Sequence, residues 1–132
     1  MLKKTELIRK KADFNRVLNR GMVIENSFFI TFVIKNSLPF SRIGISIRKK
    51  FGSAVKRNRL KRLIKEVYRT KKILFPAGYD ILFIARRDLS DAFKEYSLGY
   101  KDIEKKILNI TVNKMKRVNE YESPDTESDF FL

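Results

Sequence analysis

The chain has 132 residues, enough for one domain with a modest core, and its 43% hydrophobic and 12% aromatic content marks a folded protein rather than a basic disordered tail. With neither Cys nor His it has no disulfides, no imidazole acid–base chemistry and none of the usual zinc ligands. A net charge of +15 excludes cationic partners and points to a polyanion, with nucleic acid favoured over an anionic membrane surface.

The N-terminal MLKKTELIRKK is charged and lacks an apolar stretch, so no secretory signal is expected. FFITFVI at 28–34 is far too short to span a bilayer. Together these predict a cytoplasmic protein with no membrane partner. KKADFNRVLNRG (10–21) reads as a short amphipathic helix, with Phe14, Val17 and Leu18 at i, i+3, i+4 and Gly21 as a left-handed C-terminal cap. SFFITFVIK (27–35) is a strand and NSLPF a turn. RIGISIRK (42–49) follows as a second strand, paired antiparallel with the first across that short connection. Gly52 and Ser53 separate it from a helix ending near Thr70, with Ser53 as N-cap. PAGYD turns into a third strand, YDILFIAR (79–86). Residues 88–99 show no clear pattern beyond one short helical turn. Helical spacing returns over 100–117 through Ile103, Ile107, Leu108 and Ile110.

The predicted order is α-β-β-α-β-α around a small central sheet, an α+β or α/β sandwich. Residues 1–117 are expected to form a single nucleic-acid-binding domain, RNA-binding by the resemblance given below, and 118–132 an acidic, disordered tail. The tail holds five acids and no cation, so the first 117 residues carry a net charge of +20.

AVKRNRLKRLIKEVYR (54–69) contains seven cations and one acid. At 100° per residue, Val67, Ile64, Leu63 and Tyr68 fall within about 80° of Leu60 and make one apolar stripe. Lys61, Lys65, Asn58, Arg69, Arg62 and Arg59 take the opposite side. Like charges so close cost a few tenths of a kcal/mol per i,i+4 pair. A solvated structural helix intersperses acids, so this face reads as a phosphate-binding rail. Lys56 and Arg57 lie toward the stripe by angle but in the first turn, where free N–H groups and the helix dipole favour phosphate. For Asn58 a base edge, a sugar hydroxyl and a local cap all stay open.

Strand 42–48 alternates: Ile43, Ile45 and Ile47 form a core row, while Arg42, Gly44, Ser46 and Arg48 make a row fit to floor a groove. Strand 28–34 is apolar on both faces, and alternation does not say which meets the groove. Rings beside cations suit single-stranded nucleic acid. Phe14 and Phe32 are equally compatible with core and groove. The acids of the first 117 residues are scattered, with no carboxylate cage for a metal-dependent nuclease. No catalytic residue and no metal ligand is assigned.

RIGISIRKKFGSAVKRNRLKRLIKEVYR resembles the signature of the bacterial ribonuclease P protein subunit: a strand ending in a Lys-Lys pair, then Gly, Ala-Val, and Arg-Asn-Arg followed by Lys-Arg on a helix. DFNRVLNRG is similar to that family's first helix and YDILFIAR to its later strand. The resemblance implies a ribosomal-protein-like fold with a left-handed βαβ crossover. It also implies a subunit that binds a catalytic RNA and the 5′ leader of precursor tRNA, assisting endonucleolytic removal of the leader. Hydrolysis belongs to the RNA and to Mg²⁺ ions held mainly by it, and no obligate protein partner is implied. By position, Arg57, Asn58, Arg59, Lys61 and Arg62 would contact the RNA subunit, with Lys50, Lys56 and Lys65 completing that surface. Phe14, Leu18 and Phe32 would line the leader cleft, Arg42 and Ser46 its floor, and Arg48 and Lys49 its rim.

Overall fold

A computed structural model describes residues 2–95 and 97–108, the side chain of Glu95 excepted. In chain order the elements are α1 (Lys11–Arg20), β1 (Met22–Glu25), β2 (Phe29–Lys35), β3 (Arg42–Ser46), α2 (Ala54–Thr70), β4 (Tyr79–Ala85), α3 (Arg87–Glu95) and α4 (Tyr100–Ile107). The α+β class stands. The continuation of the last helix through Ile110 to 117, and the acidic tail, lie outside the described residues.

The sheet order is β1-β2-β4-β3. This corrects the expected hairpin: β2 and β3 are not neighbours, because β4 lies between them, antiparallel to β2 and parallel to β3. The physical reason is burial. YDILFIA is the most continuously apolar strand, and a strand covered on both faces belongs in the centre. The strand missed by the sequence reading, β1, is a four-residue edge with only Ile24 buried, too short to show alternation. The other edge, β3, is covered by the N-terminal segment: Leu7 bridges Ile43, and Ile8 N–H donates to Ile43 C=O at 2.8 Å.

Two further corrections are local. The segment expected to hold one short helical turn contains a nine-residue helix, α3, which buries Leu89 and Phe93 at i, i+4. Gly21 is not left-handed; its φ is −72°. Glycine is needed there for room, since a Cβ would sit 2.4 Å from the Val17 carbonyl oxygen.

Alternation sorts the sheet into two faces. Phe29, Thr31 and Val33 of β2 join Ile43, Ile81 and Phe83 in the larger core, capped by Leu60, Ile64, Val67 and Tyr68 of α2 and by Leu89, Ile103 and Ile107 of α3 and α4. The opposite face meets α1 through Ile8, Val17 and Leu82, with Phe14, Phe32, Ile34 and Ile84 around them. The described residues thus form three layers, with α1 the one helix among them on its side of the sheet.

Thr31 is 1% exposed in the larger core and its hydroxyl has no hydrogen-bond partner among the described residues. An unpaired buried hydroxyl costs about 1–3 kcal/mol. Thr31→Val keeps the shape and removes the polar atom, so it is expected to raise unfolding stability by about 1 kcal/mol. Urea titration checks this; an unchanged or lower midpoint would mean that the hydroxyl is satisfied in solution.

Candidate nucleic-acid interface

The sheet and its helices present two cationic surfaces. The first is α2. Ser53 caps its start, the hydroxyl accepting from Lys56 N–H at 3.3 Å, and there is no acid in its first turn. The apolar stripe is spent on the core, which turns the other side to solvent. Lys56, Asn58, Arg59 and Arg62 are exposed, and Arg57, Lys61 and Lys65 half-buried. The side chains of Lys56, Asn58, Lys61, Arg62 and Lys65 make no hydrogen bond or ion pair among the described residues. A local cap is therefore not the use the described structure makes of Asn58.

Three cations of the helix differ. The helix's one acid, Glu66, is paired with Arg69, which removes both from the rail. Arg59 donates from Nη2 to the Leu98 carbonyl at 2.8 Å, so it also steadies the segment between α3 and α4. The Nε of Arg57, in the first turn of the helix, is buried without a hydrogen-bond partner among the described residues.

The second surface is a cleft between α1 and the sheet. Strand register places Val23, Phe32, Leu82 and Gly44 in one cross-strand row and Glu25, Ile30, Ile84 and Ser46 in the next. Phe14 of α1 seats on the first row: a Cβ on Gly44 would lie 3.0 Å from its ring and 3.2 Å from Leu82. The empty side of Gly44 therefore sets where the ring rests. Leu18, one turn on, is 42% exposed on the same flank of the helix. At the second row opens a 610 Å³ groove floored by Ile30 and Ile84 and ringed by Arg48, Lys50, Arg86, Arg87 and Lys94, with Asp91 the one acid among its described lining residues.

So Phe14, Leu18, Phe32 and Ser46 share the α1 side of the sheet, and Arg48 and Lys50 line the groove that adjoins it at Ile30 and Ile84. Lys49 is exposed on a 3₁₀ turn, Lys49–Phe51, between β3 and α2. Phe51 anchors that turn in the core, and its carbonyl accepts from Ser90 Oγ at 2.7 Å. Arg42 is used differently. Its guanidinium grips Asp80 at 2.8 and 2.6 Å and approaches Asp13 at 3.5 Å, on the flank of α1 away from Phe14. Arg86, Arg87 and Lys94 are groove cations that the sequence reading missed. The available signal was the alternation of β4, which carries Leu82, Ile84 and then Arg86 on one face, next to a second Arg.

Among the described residues no three of His, Cys, Asp and Glu cluster to hold a metal, and no helix is long and apolar enough to cross a membrane.

Comparison with known proteins is decisive. The family model described as Ribonuclease P matches residues 2–110. The chain belongs to the ribonuclease P protein family. It is thus a protein subunit of a ribonucleoprotein nuclease of tRNA processing. The ribonuclease P protein component of Petrotoga mobilis is 43% identical over 109 residues, covering 82% of this chain and 90% of that one. The component from Thermotoga maritima is 36% identical over 105 residues, covering 80% and 88%. The solved structure of the Thermotoga maritima RNase P protein superimposes with a TM-score of 0.74 at 35% identity, over 85% of this subunit and 96% of that chain. The Staphylococcus aureus RNase P protein gives 0.69 at 29% identity, over 88% and 96%.

Proposed function

We propose that this subunit binds the catalytic RNA of ribonuclease P along α2 and holds the 5′ leader of precursor tRNA in the cleft between α1 and the sheet. Hydrolysis then falls to the RNA and to Mg²⁺ that the RNA mainly holds, and the chain supplies affinity and orientation. It works in the cytoplasm and needs no obligate protein partner.

One observation carries this reading: the two cationic surfaces differ in kind. The rail is a convex row of cations on a rigid helix, suited to phosphates of a folded RNA. Its Asn58 amide, without a partner among the described residues, is placed for a base edge or a 2′-hydroxyl. The cleft pairs an apolar, aromatic floor with a cationic rim, as unpaired bases and their backbone require. Phe14 and Phe32 supply the rings, Arg48, Lys50, Arg86 and Arg87 the charge.

Reconstitution tests it. Added to the RNA subunit and precursor tRNA at low Mg²⁺, the protein should raise leader removal well above RNA alone. Phe32→Ala should reduce the preference for precursor over mature tRNA by about tenfold, the order of one stacked base. Leader removal no faster with protein than without, or cleavage by the protein free of RNA, overturns the reading.

A further inference from the structure

Asp80 sits on β4 with no exposed side-chain surface, and four donors fill its two oxygens. Oδ1 accepts from Arg42 Nε at 2.8 Å and Asn36 Nδ2 at 2.9 Å; Oδ2 accepts from Arg42 Nη2 at 2.6 Å and Arg16 Nη2 at 3.0 Å. The donors come from three places: Arg16 from α1, Arg42 from β3, and Asn36 from just past β2. Arg42 also reaches Asp13 in the first turn of α1 at 3.5 Å, and Arg16 Nη1 donates to the Lys35 carbonyl at 3.4 Å. The helix is thereby tied to the sheet at residues 13 and 16.

We propose that Asp80 is a positioning residue for leader recognition: its carboxylate pins α1 to the sheet through Arg16 and Arg42 and so fixes the width of the cleft. The inference rests on the reading that the cleft holds the leader. Register gives the mechanics. Ile34, Asp80 and Arg42 form the cross-strand row next to Phe32, Leu82 and Gly44, only two residues along each strand. The clamp grips one flank of α1, and Phe14 and Leu18 face the cleft from the other. Apolar contacts between Val17 and Leu82 tolerate sliding, whereas the Arg16 guanidinium, bonded through one nitrogen to Asp80 and through the other to the Lys35 carbonyl, fixes direction as well as distance. A helix released on the clamped side moves its aromatic wall relative to Gly44, and rings misplaced by about 1 Å lose much of their effect on recognition. Neither Arg16 nor Arg42 faces the cleft, so a change of leader affinity on altering Arg16 travels through the helix.

Arg16→Met tests this, because the apolar stem is retained and Asp80 keeps Arg42 and Asn36. Asp13→Asn loosens the second tie without touching Asp80. In the reconstituted holoenzyme each should lower the precursor-over-mature affinity ratio by about fivefold, with RNA-subunit affinity and its salt slope unchanged; Arg16→Lys should restore part of the ratio. In the free protein, the Gly44 Hα resonances, displaced by the Phe14 ring current, should move toward ordinary values in Arg16→Met. A ratio unchanged in both variants while Phe32→Ala lowers it overturns the positioning role alone. A ratio unchanged in Phe32→Ala as well overturns the cleft assignment and the inference together. Gly44 shifts that stay put in Arg16→Met count against the clamp whatever the tRNA assays give.

Discussion

Replacing Arg57 and Arg62 together by Gln should weaken binding to the RNA subunit by about a hundredfold near 0.1 M salt, at about 1.5 kcal/mol for each charge-assisted contact. Arg62 projects from α2 opposite its apolar stripe, Arg57 lies in the first turn at the edge of the stripe, and no carboxylate among the described residues neutralises either. If the rail contacts about six phosphates, log affinity falls against log salt with a slope near −5, and losing two contacts flattens it by about 2. Isothermal titration across a salt series reads both numbers. Folding should be nearly unaffected, since Arg62 is exposed and the buried Nε of Arg57 has no partner to lose. Thermal stability falling in step with affinity, or an unchanged slope, would make these arginines structural. Arg59 is the poorer choice for this experiment. Its hydrogen bond to Leu98 means that truncation disturbs the α3–α4 segment as well as the rail.

The rail was readable because every part of it lies on one helix. The 3.6-residue period alone separates Leu60, Ile64 and Val67 from the cations, and Ser53 marks the start. The cleft was readable only in part, since alternation gives faces and not neighbours. Phe32 and Phe29 looked equivalent until β4 and α1 showed that Phe29 enters the larger core while Phe32 looks toward α1. Arg42 carried the right face and the wrong flank: the sheet side was legible, but not that Asp80, 38 residues away, would claim its guanidinium. The groove cations Arg86, Arg87 and Lys94 meet Arg48 and Lys50 only because β4 is inserted beside β3. The strand order was hidden for a related reason. A short connection favours pairing β2 with β3, and what defeats it is the doubly buried β4, whose demand for cover is a property of the whole sheet. Leu89 and Phe93 had helical spacing, but a nine-residue stretch with two Asp and one Ser gave little else to support it.

Asp80→Ala should cost about 3 kcal/mol of folding stability, the range found when one partner of a buried ion pair is removed. The loss arises less from the missing acid than from Arg42, whose side chain is only 18% exposed and is left with Asp13 alone. Acid should expose the same dependence. Burial pushes the Asp80 pKa up, but hydrogen bonds from Arg42 and Asn36, the charge of Arg42 and a further bond from Arg16 outweigh it and hold the value below the ordinary 3.8. A carboxylate whose folded pKa is depressed stabilises fully above its unfolded pKa, and that contribution disappears as pH falls through the folded value. Wild-type stability should therefore drop more steeply below about pH 4 than that of Asp80→Asn, and the two should converge in strong acid. Parallel acid limbs would show that the carboxylate contributes nothing as an ion. A double replacement, Asp80→Leu with Arg42→Leu, separates stability from position. Well-packed apolar substitutes for a buried pair are often neutral or better, so folding should largely recover. The ties to Arg16 and Asp13 do not return with it, and a stable protein with a poor preference for precursor tRNA is the expected product.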